Sequence, residues 1–292
     1  MVPAMTHADL EAFAGLNPSF EADSGLLVLR LDHGKANEMG SEQLAALEAL
    51  CARVETDDAI RCVFTTSERR SKKGTPIFIS GANVTERTGW SVEQVKAHVR
   101  RQRELMRRLR ALPVFTIAAS HGVTLGWGVE YLLTTDYALA TPDASFGLPE
   151  TGLGIIPGAR GSAELSDRVG PAHAMRLGAT GERIDAAEAL RIGLVEEMVD
   201  DLDAALSRAR ALAARLVNNS PTAVAAFKHA SLASRGLEEA ERLEIEARAY
   251  ELCVDGGDAS VGRQAFQEIR EGRSPAWPTR RLLSPTSPPE GN

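Results

Sequence analysis

Apolar and polar positions along the chain switch between two periods. Leu26–Leu31 (LLVLRL), residues 60–65 (IRCVFT) and residues 77–80 (IFIS) are β-rich runs, and each reads as a strand. Phe115–Ser120 (FTIAAS) reads as a buried strand that feeds a glycine-containing turn, and Tyr137–Ala140 and residues 144–146 as two shorter strands. Between these runs the period lengthens. Ser41 caps an expected helix with Leu44, Leu47, Cys51 and Val54 on one face. The capping-box pattern Ser91-Val-Glu-Gln94 opens a long helix with Val92, Val95, Val99, Leu105, Met106 and Leu109 expected inside, ended by Pro113. The last third is helical: Leu202–Leu216, a helix from Pro221 through Phe227, and residues 237–252. Strands mixed with helices, followed by a helical third, predict an α/β domain with a helical extension. Residues 1–20 read as a loosely attached lead-in, and residues 284–292 (SPTSPPEGN) as a disordered tail.

Composition narrows the function classes. The 292 residues are 43% hydrophobic and 25% charged, which is ordinary for a globular chain and ample for a core. A net charge of −7 argues against broad nucleic-acid binding. Cys51, Cys62 and Cys253 show no metal or redox spacing and read as reduced thiols of a cytosol-like compartment. No stretch approaches the ~18 apolar residues of a membrane span. The N-terminus lacks a basic segment leading into an apolar run, so a cytoplasmic protein without a secretory signal is expected.

Two glycine-containing turns stand out, each after a β-rich run and before a probable helix. They are Phe78-Ile-Ser-Gly-Ala-Asn83 and the segment Ser120-His-Gly-Val-Thr-Leu-Gly-Trp-Gly-Val-Glu130. A turn that opens a helix presents free backbone N–H groups and the positive end of the helix dipole. Two such turns side by side suit one developing oxyanion. Either turn alone also fits simple backbone accommodation.

The segments FISGANV, LPVFTIAASHGVTLGWGVEYLLTTDYALA and ASFGLPETGLGIIPGARG resemble successive signature blocks of the enoyl-CoA hydratase/isomerase (crotonase) family. Similarity continues through GERIDAAEALRIGLVEEMV, NSPTAVAAFKHA and DASVGRQAF, from about Leu26 to about Pro275. The resemblance implies a crotonase-like α/β spiral of repeated ββα units over residues 21–205. It also implies a helical oligomerisation segment at 206–280, a tail at 281–292, and assembly as a homotrimer or hexamer. The implied substrate is an acyl-CoA thioester, with no metal and no separate cofactor, since CoA is part of the substrate. By position, Ala82 and Trp127 match the family's two oxyanion N–H donors, and Glu130 and Glu150 its two hydratase glutamates. Lys35 and Ala36, in the segment the family places near the adenine of CoA, are expected to contact substrate, as are Ser80, Gly81 and Gly126. Hydration delivers hydroxyl to C3 and a proton to C2, which calls for a base and a proton donor flanking one water.

Departures from the family pattern bear on the acyl pocket. Trp127 stands where the family has glycine, which keeps the N–H but adds a bulky side chain and would be costly at φ > 0. Asn83 replaces an aspartate and Arg160 a glycine. The loop Arg69-Arg70-Ser-Lys-Lys73 is longer and more basic than the family's turn. It reads as a solvated loop, or as an attractor for CoA phosphates or an acidic carrier protein. His121 reads as a structural residue. The alternatives to hydration are double-bond isomerisation on Glu150 alone, RNA binding through the basic loop, and a scaffold without catalysis.

Overall fold

The structure is a computed structural model that describes residue 13 and residues 15–283. The apolar runs form two sheets. The six-stranded sheet has the order β1 (Pro18–Glu21), β2 (Leu26–Leu31), β3 (Cys62–Ser67), β5 (Phe115–Ser120), β7 (Tyr137–Ala140), β10 (Glu197–Met198). The four-stranded sheet has the order β4 (Ile77–Ile79), β6 (Val123–Leu125), β8 (Ser145–Gly147), β9 (Ile184–Asp185). The pairs β1–β2 and β8–β9 are antiparallel and the remaining pairs parallel. The chain steps from the large sheet to the small one at β3–β4, β5–β6 and β7–β8 before helical segments return it. This is the expected spiral of ββα units.

Side-chain alternation explains why the strands of the large sheet are apolar throughout. Leu27, Leu29, Val63, Ala118, Ala138 and Ala140 point into the main core. Their neighbours Leu26, Val28, Cys62, Phe64, Ile117, Ala119 and Leu139 point to the opposite face, against Ala205, Ala209 and Ala213 of α7 (Leu202–Leu216). The sequence boundary drawn between 205 and 206 falls inside this helix. The main core is closed by α1 (Ser41–Thr56) and α2 (Val92–Arg110), whose buried faces carry Leu44, Leu47, Cys51 and Val54, and Leu105, Met106 and Leu109.

Ser91 caps α2 as expected: its hydroxyl accepts from the N–H of Gln94, and the Gln94 side chain accepts from the N–H of Ser91. The first turns of α2 differ from expectation. Val92 is exposed, and His98 and Gln102 are buried in its place. Counting back from Leu109 and Leu105 in steps of three and four leads to Gln102 and His98, whereas Val92 lies off that stripe.

The lead-in is also more structured than its composition suggested. Leu16 is fully buried and β1 pairs with β2 across four residues. The remainder of 1–12, residue 14, and the tail over 284–292 lie outside the described residues. Of the tail, Arg281 donates its N–H to the Thr222 hydroxyl at 3.2 Å.

The helical layer comprises α8 (Pro221–Ala233), α9 (Glu239–Asp255), α10 (Asp258–Gln264) and α11 (Phe266–Arg270). Lys228 of α8, buried, ties it to the sheets by donating to Asp136 at 2.6 Å and to the Val114 carbonyl at 3.0 Å. No helix among the described residues is long and apolar enough to cross a membrane.

Candidate active site

The first turn leaves β4 through Ser80, Gly81 and Ala82. Gly81 takes φ 126°, a conformation L side chains avoid. A neighbouring loop fixes the turn. Ser80 N–H donates to the Ala36 carbonyl, Met39 N–H to the Gly81 carbonyl, and Asn83 N–H to the Met39 carbonyl. That loop is in turn held by buried Asn37, whose amide donates to Ser67 Oγ at 2.8 Å and to the Phe78 carbonyl at 2.9 Å. The N–H of Ala82 has no acceptor among the described residues.

The second turn leaves β6 and opens α3 (Trp127–Leu132). The left-handed backbone falls on Gly126 (φ 51°), while Trp127 starts the helix and is not among the positive-φ residues. The strain expected of tryptophan at this position is therefore absent. The next residue does require glycine: a Cβ on Gly128 would meet the Ile79 carbonyl at 2.6 Å, because α3 begins hard against β4. The N–H of Trp127, at the first helical position, has no acceptor among the described residues. Since β4 and β6 are paired, the two turns stand side by side.

The indole of Trp127 is 1% exposed and stacks on Tyr131 with centroids 5.8 Å apart. The Tyr131 hydroxyl is bonded to Thr65 Oγ1 at 2.8 Å. The side chain thus belongs to the core, rather than standing as a free wall beside a substrate. Its Nε1 is buried without a partner among the described residues.

One turn into α3, Glu130 is 4% exposed. Its Oε1 accepts from the backbone N–H of Ala159 and of Gly161, each at 2.8 Å. These donors sit where the chain enters α4 (Gly161–Val169), a ready-made site for a negative charge. Burial outweighs them and, with the charge of nearby Glu150, pushes the Glu130 carboxyl up to about 7.

Glu150 lies in the 3₁₀ turn Pro149–Leu153 after β8. Its Oε1 is close enough to Gly126 that a Cβ there would come within 2.5 Å. Its Oε2 is buried without a partner among the described residues, and burial raises its pKa as well. Two carboxyls, both with pKa values raised by burial, therefore lie against the turn that carries the Trp127 N–H.

The outer part of the candidate site is built from the loop before Met39. The N–H groups of Lys35 and Ala36 donate to Glu38 Oε2 at 3.2 and 3.0 Å, so that carboxylate occupies the donors expected to face substrate. The basic segment forms a tight hairpin closed by an Arg70–Pro76 bridge. Arg69 folds back from it to pair with Asp32 at 2.6 Å and to donate to the Gly34 carbonyl. It is thus a brace for the 32–37 loop, while Lys72 and Lys73 are exposed. Asn83 braces the 3₁₀ turn Thr85–Arg87, its Oδ1 accepting from Thr85 Oγ1 at 2.7 Å and from Glu86 N–H at 3.3 Å. Arg160, at φ 82°, holds a left-handed position that glycine would adopt without strain. His121 is buried, and burial lowers its pKa.

Among the described residues no group of three or more His, Cys, Asp or Glu side chains could hold a metal ion. The residues missed from sequence are Ala159 and Gly161 as donors to Glu130, and Glu38 as the partner of the Lys35 and Ala36 amides. The glycine-rich lead into α4 was the readable signal for the first pair.

A family model for enoyl-CoA hydratase/isomerase matches residues 21–278. A probable enoyl-CoA hydratase of Bacillus subtilis is 33% identical over 254 residues, covering 87% of this chain and 96% of its own. A crotonyl-CoA hydratase of Syntrophomonas wolfei is 30% identical, with 87% and 96% covered. Among solved structures, an enoyl-CoA hydratase from Bacillus anthracis superposes with a TM-score of 0.80 at 32% identity, over 90% of this chain and 100% of its own. With the spiral of ββα units and a family match over most of its length, the chain belongs to the enoyl-CoA hydratase/isomerase family.

Proposed function

We propose that this chain adds water to, or removes it from, the 2,3 double bond of an enoyl-CoA thioester. The thioester oxygen is taken up by the N–H groups of Ala82 and Trp127, which have no protein acceptor among the described residues. Charge that develops on that oxygen as the enolate forms is then met by two backbone dipoles that the turns hold in place. Ser80, Gly81 and Gly126 shape the turns around it, and Lys35 and Ala36 lie toward the CoA end.

The observation that carries the reading is the contrast in how two neighbouring carboxyls are held. Glu130, fixed through Oε1 by Ala159 and Gly161, is suited to orient a water molecule and take its proton. Glu150, with Oε2 unpartnered, is suited to exchange the proton at C2. Burial raises both pKa values, that of Glu130 to about 7, which suits the pair to proton transfer with substrate and water.

A homotrimer or hexamer fits the surface. Phe227, Leu243, Tyr250 and Phe266 of the helical layer are more than half exposed in the single chain. The test of function is incubation with a panel of enoyl-CoAs in heavy-oxygen water. A 3-hydroxyacyl-CoA carrying the heavy atom supports hydration. Double-bond migration without label supports isomerisation and overturns the proposal.

A further inference from the structure

We infer that Arg160 and Glu164 act as a positioning pair that holds the α4 entry turn in the shape needed to present its two N–H groups to Glu130. The inference rests on the proposed role of Glu130 as the water-holding carboxyl. It concerns residues outside those proposed to contact the thioester or the water.

Glu164 is one turn into α4 and 7% exposed, and three guanidinium groups converge on it. Arg160 reaches it from the same turn, Nε to Oε1 at 3.0 Å. Arg110 reaches it from the end of α2 at 3.3 Å, and Arg235 from beyond α8 at 3.4 Å. Arg160 adopts φ 82°, where a side chain carries a strain that glycine would not. A strained non-glycine residue persists where its surroundings hold it, and here the hold is the buried carboxylate one turn on. The backbone is locked in the same place, since Ala163 and Glu164 N–H both donate to the Arg160 carbonyl. Arg103 of α2 secures the other side by donating to the Gly158 carbonyl at 3.2 Å. Residues 158–161 are thereby held from α2 and from α4, and Glu164 of α4 is itself tied to Arg235. Ala159 and Gly161, within that grip, carry the donors to Glu130.

The charges around the pair set the sign of the effect. Glu130 faces the Glu150 carboxyl from the 3₁₀ turn and Arg103 from α2. Arg110 also faces Asp136 and Arg168, and Arg235 also faces Asp167. Arg160 does not act on Glu130 directly, so its removal is felt through the turn. The Ala159 and Gly161 N–H groups favour the ionised form of Glu130. Loosening them raises its pKa.

The test compares Arg160→Gly and Arg160→Lys with the unaltered protein. Glycine relieves the strain at φ 82° and removes the fork, so folding is retained. The expected result for Arg160→Gly is a kcat lower by about 10-fold with KM unchanged. Its acid-limb pKa should rise by about half a unit or more. Arg160→Lys should lie between the two, because lysine keeps the charge without the planar fork. Titration of the Gly161 amide by nitrogen-15 NMR reads the Glu130 pKa without any turnover. If the wild-type protein proves not to hydrate enoyl-CoA, that titration still tests the pair. Superimposable profiles for wild type and Arg160→Gly would overturn the inference. So would full restoration by lysine, which would reduce the effect to net charge.

Discussion

Glu130 and Glu150 share a burial-driven rise in pKa but not a mode of anchoring. Glu130 lies on α3 and takes two backbone N–H bonds on one oxygen from the α4 entry turn. Glu150 lies on a short 3₁₀ turn, and one of its oxygens is buried with no partner among the described residues. A carboxylate held at a fixed angle can hold a water at a fixed angle. One with an unpartnered oxygen beside the Gly126 turn keeps a lone pair that can take a proton. The difference in environment matches the two separate jobs proposed for them.

The comparison breaks most visibly if the two glutamines behave alike. Glu150→Gln is expected to lower hydration by about 10³-fold or more, since it removes the proton carrier itself. Initial rates on a short enoyl-CoA measure this.

Glu130→Gln is expected to cost about 100-fold, because glutamine still accepts from Ala159 and Gly161 but no longer takes a proton from water. Near-normal turnover in Glu130→Gln with an inactive Glu150→Gln would favour isomerisation. The same variant sharpens the account through stability. The folded protein binds the Glu130 proton more tightly than the unfolded chain does, since its pKa rises from 4.5 to about 7. Stability from this group is therefore full below about pH 4.5 and is lost as pH rises through 7. Glu130→Gln should exceed the wild type in unfolding free energy, read from denaturant melts, by about 3 kcal/mol at most at pH 8, and the gap should close by pH 4. A gap that widens toward low pH would contradict the raised pKa.

Trp127→Phe should matter less. It keeps the backbone donor and most of the stack on Tyr131, so activity should stay within a few-fold while stability falls by about 1 kcal/mol. Thermal melts and rates together check this, and loss of activity at unchanged stability would place the indole in contact with substrate. The smallest effect is expected from Lys72→Ser with Lys73→Ser. It should raise KM by no more than a few-fold at low salt and leave kcat alone, because exposed charges steer and are screened. A fall in kcat would show that the hairpin reaches the chemistry.

Much of the large sheet was legible from sequence because its strands are apolar on both faces. The small sheet was less so: VTL at β6 is three residues long and sets up no period. Pattern also does not say that alternate strands belong to different sheets, and the spiral came from the family resemblance. Glu130 and Glu150 were named the same way, since a buried carboxylate and a solvated one read alike along a chain. Trp127 was read as a risk of strain, and the structure moves the left-handed residue to Gly126. The grip on the α4 entry turn joins residues more than 50 positions apart, which no local pattern reports.

The division of labour is tested most directly by following exchange at C2 of a 3-hydroxyacyl-CoA in heavy water, alongside its dehydration. Exchange needs the oxyanion donors and the free carboxyl, whereas loss of water also needs the held one. The expected result is that Glu130→Gln keeps measurable C2 exchange while dehydration falls about 100-fold, and that Glu150→Gln loses both. Exchange that survives in Glu150→Gln, or that vanishes in Glu130→Gln in step with dehydration, would contradict it.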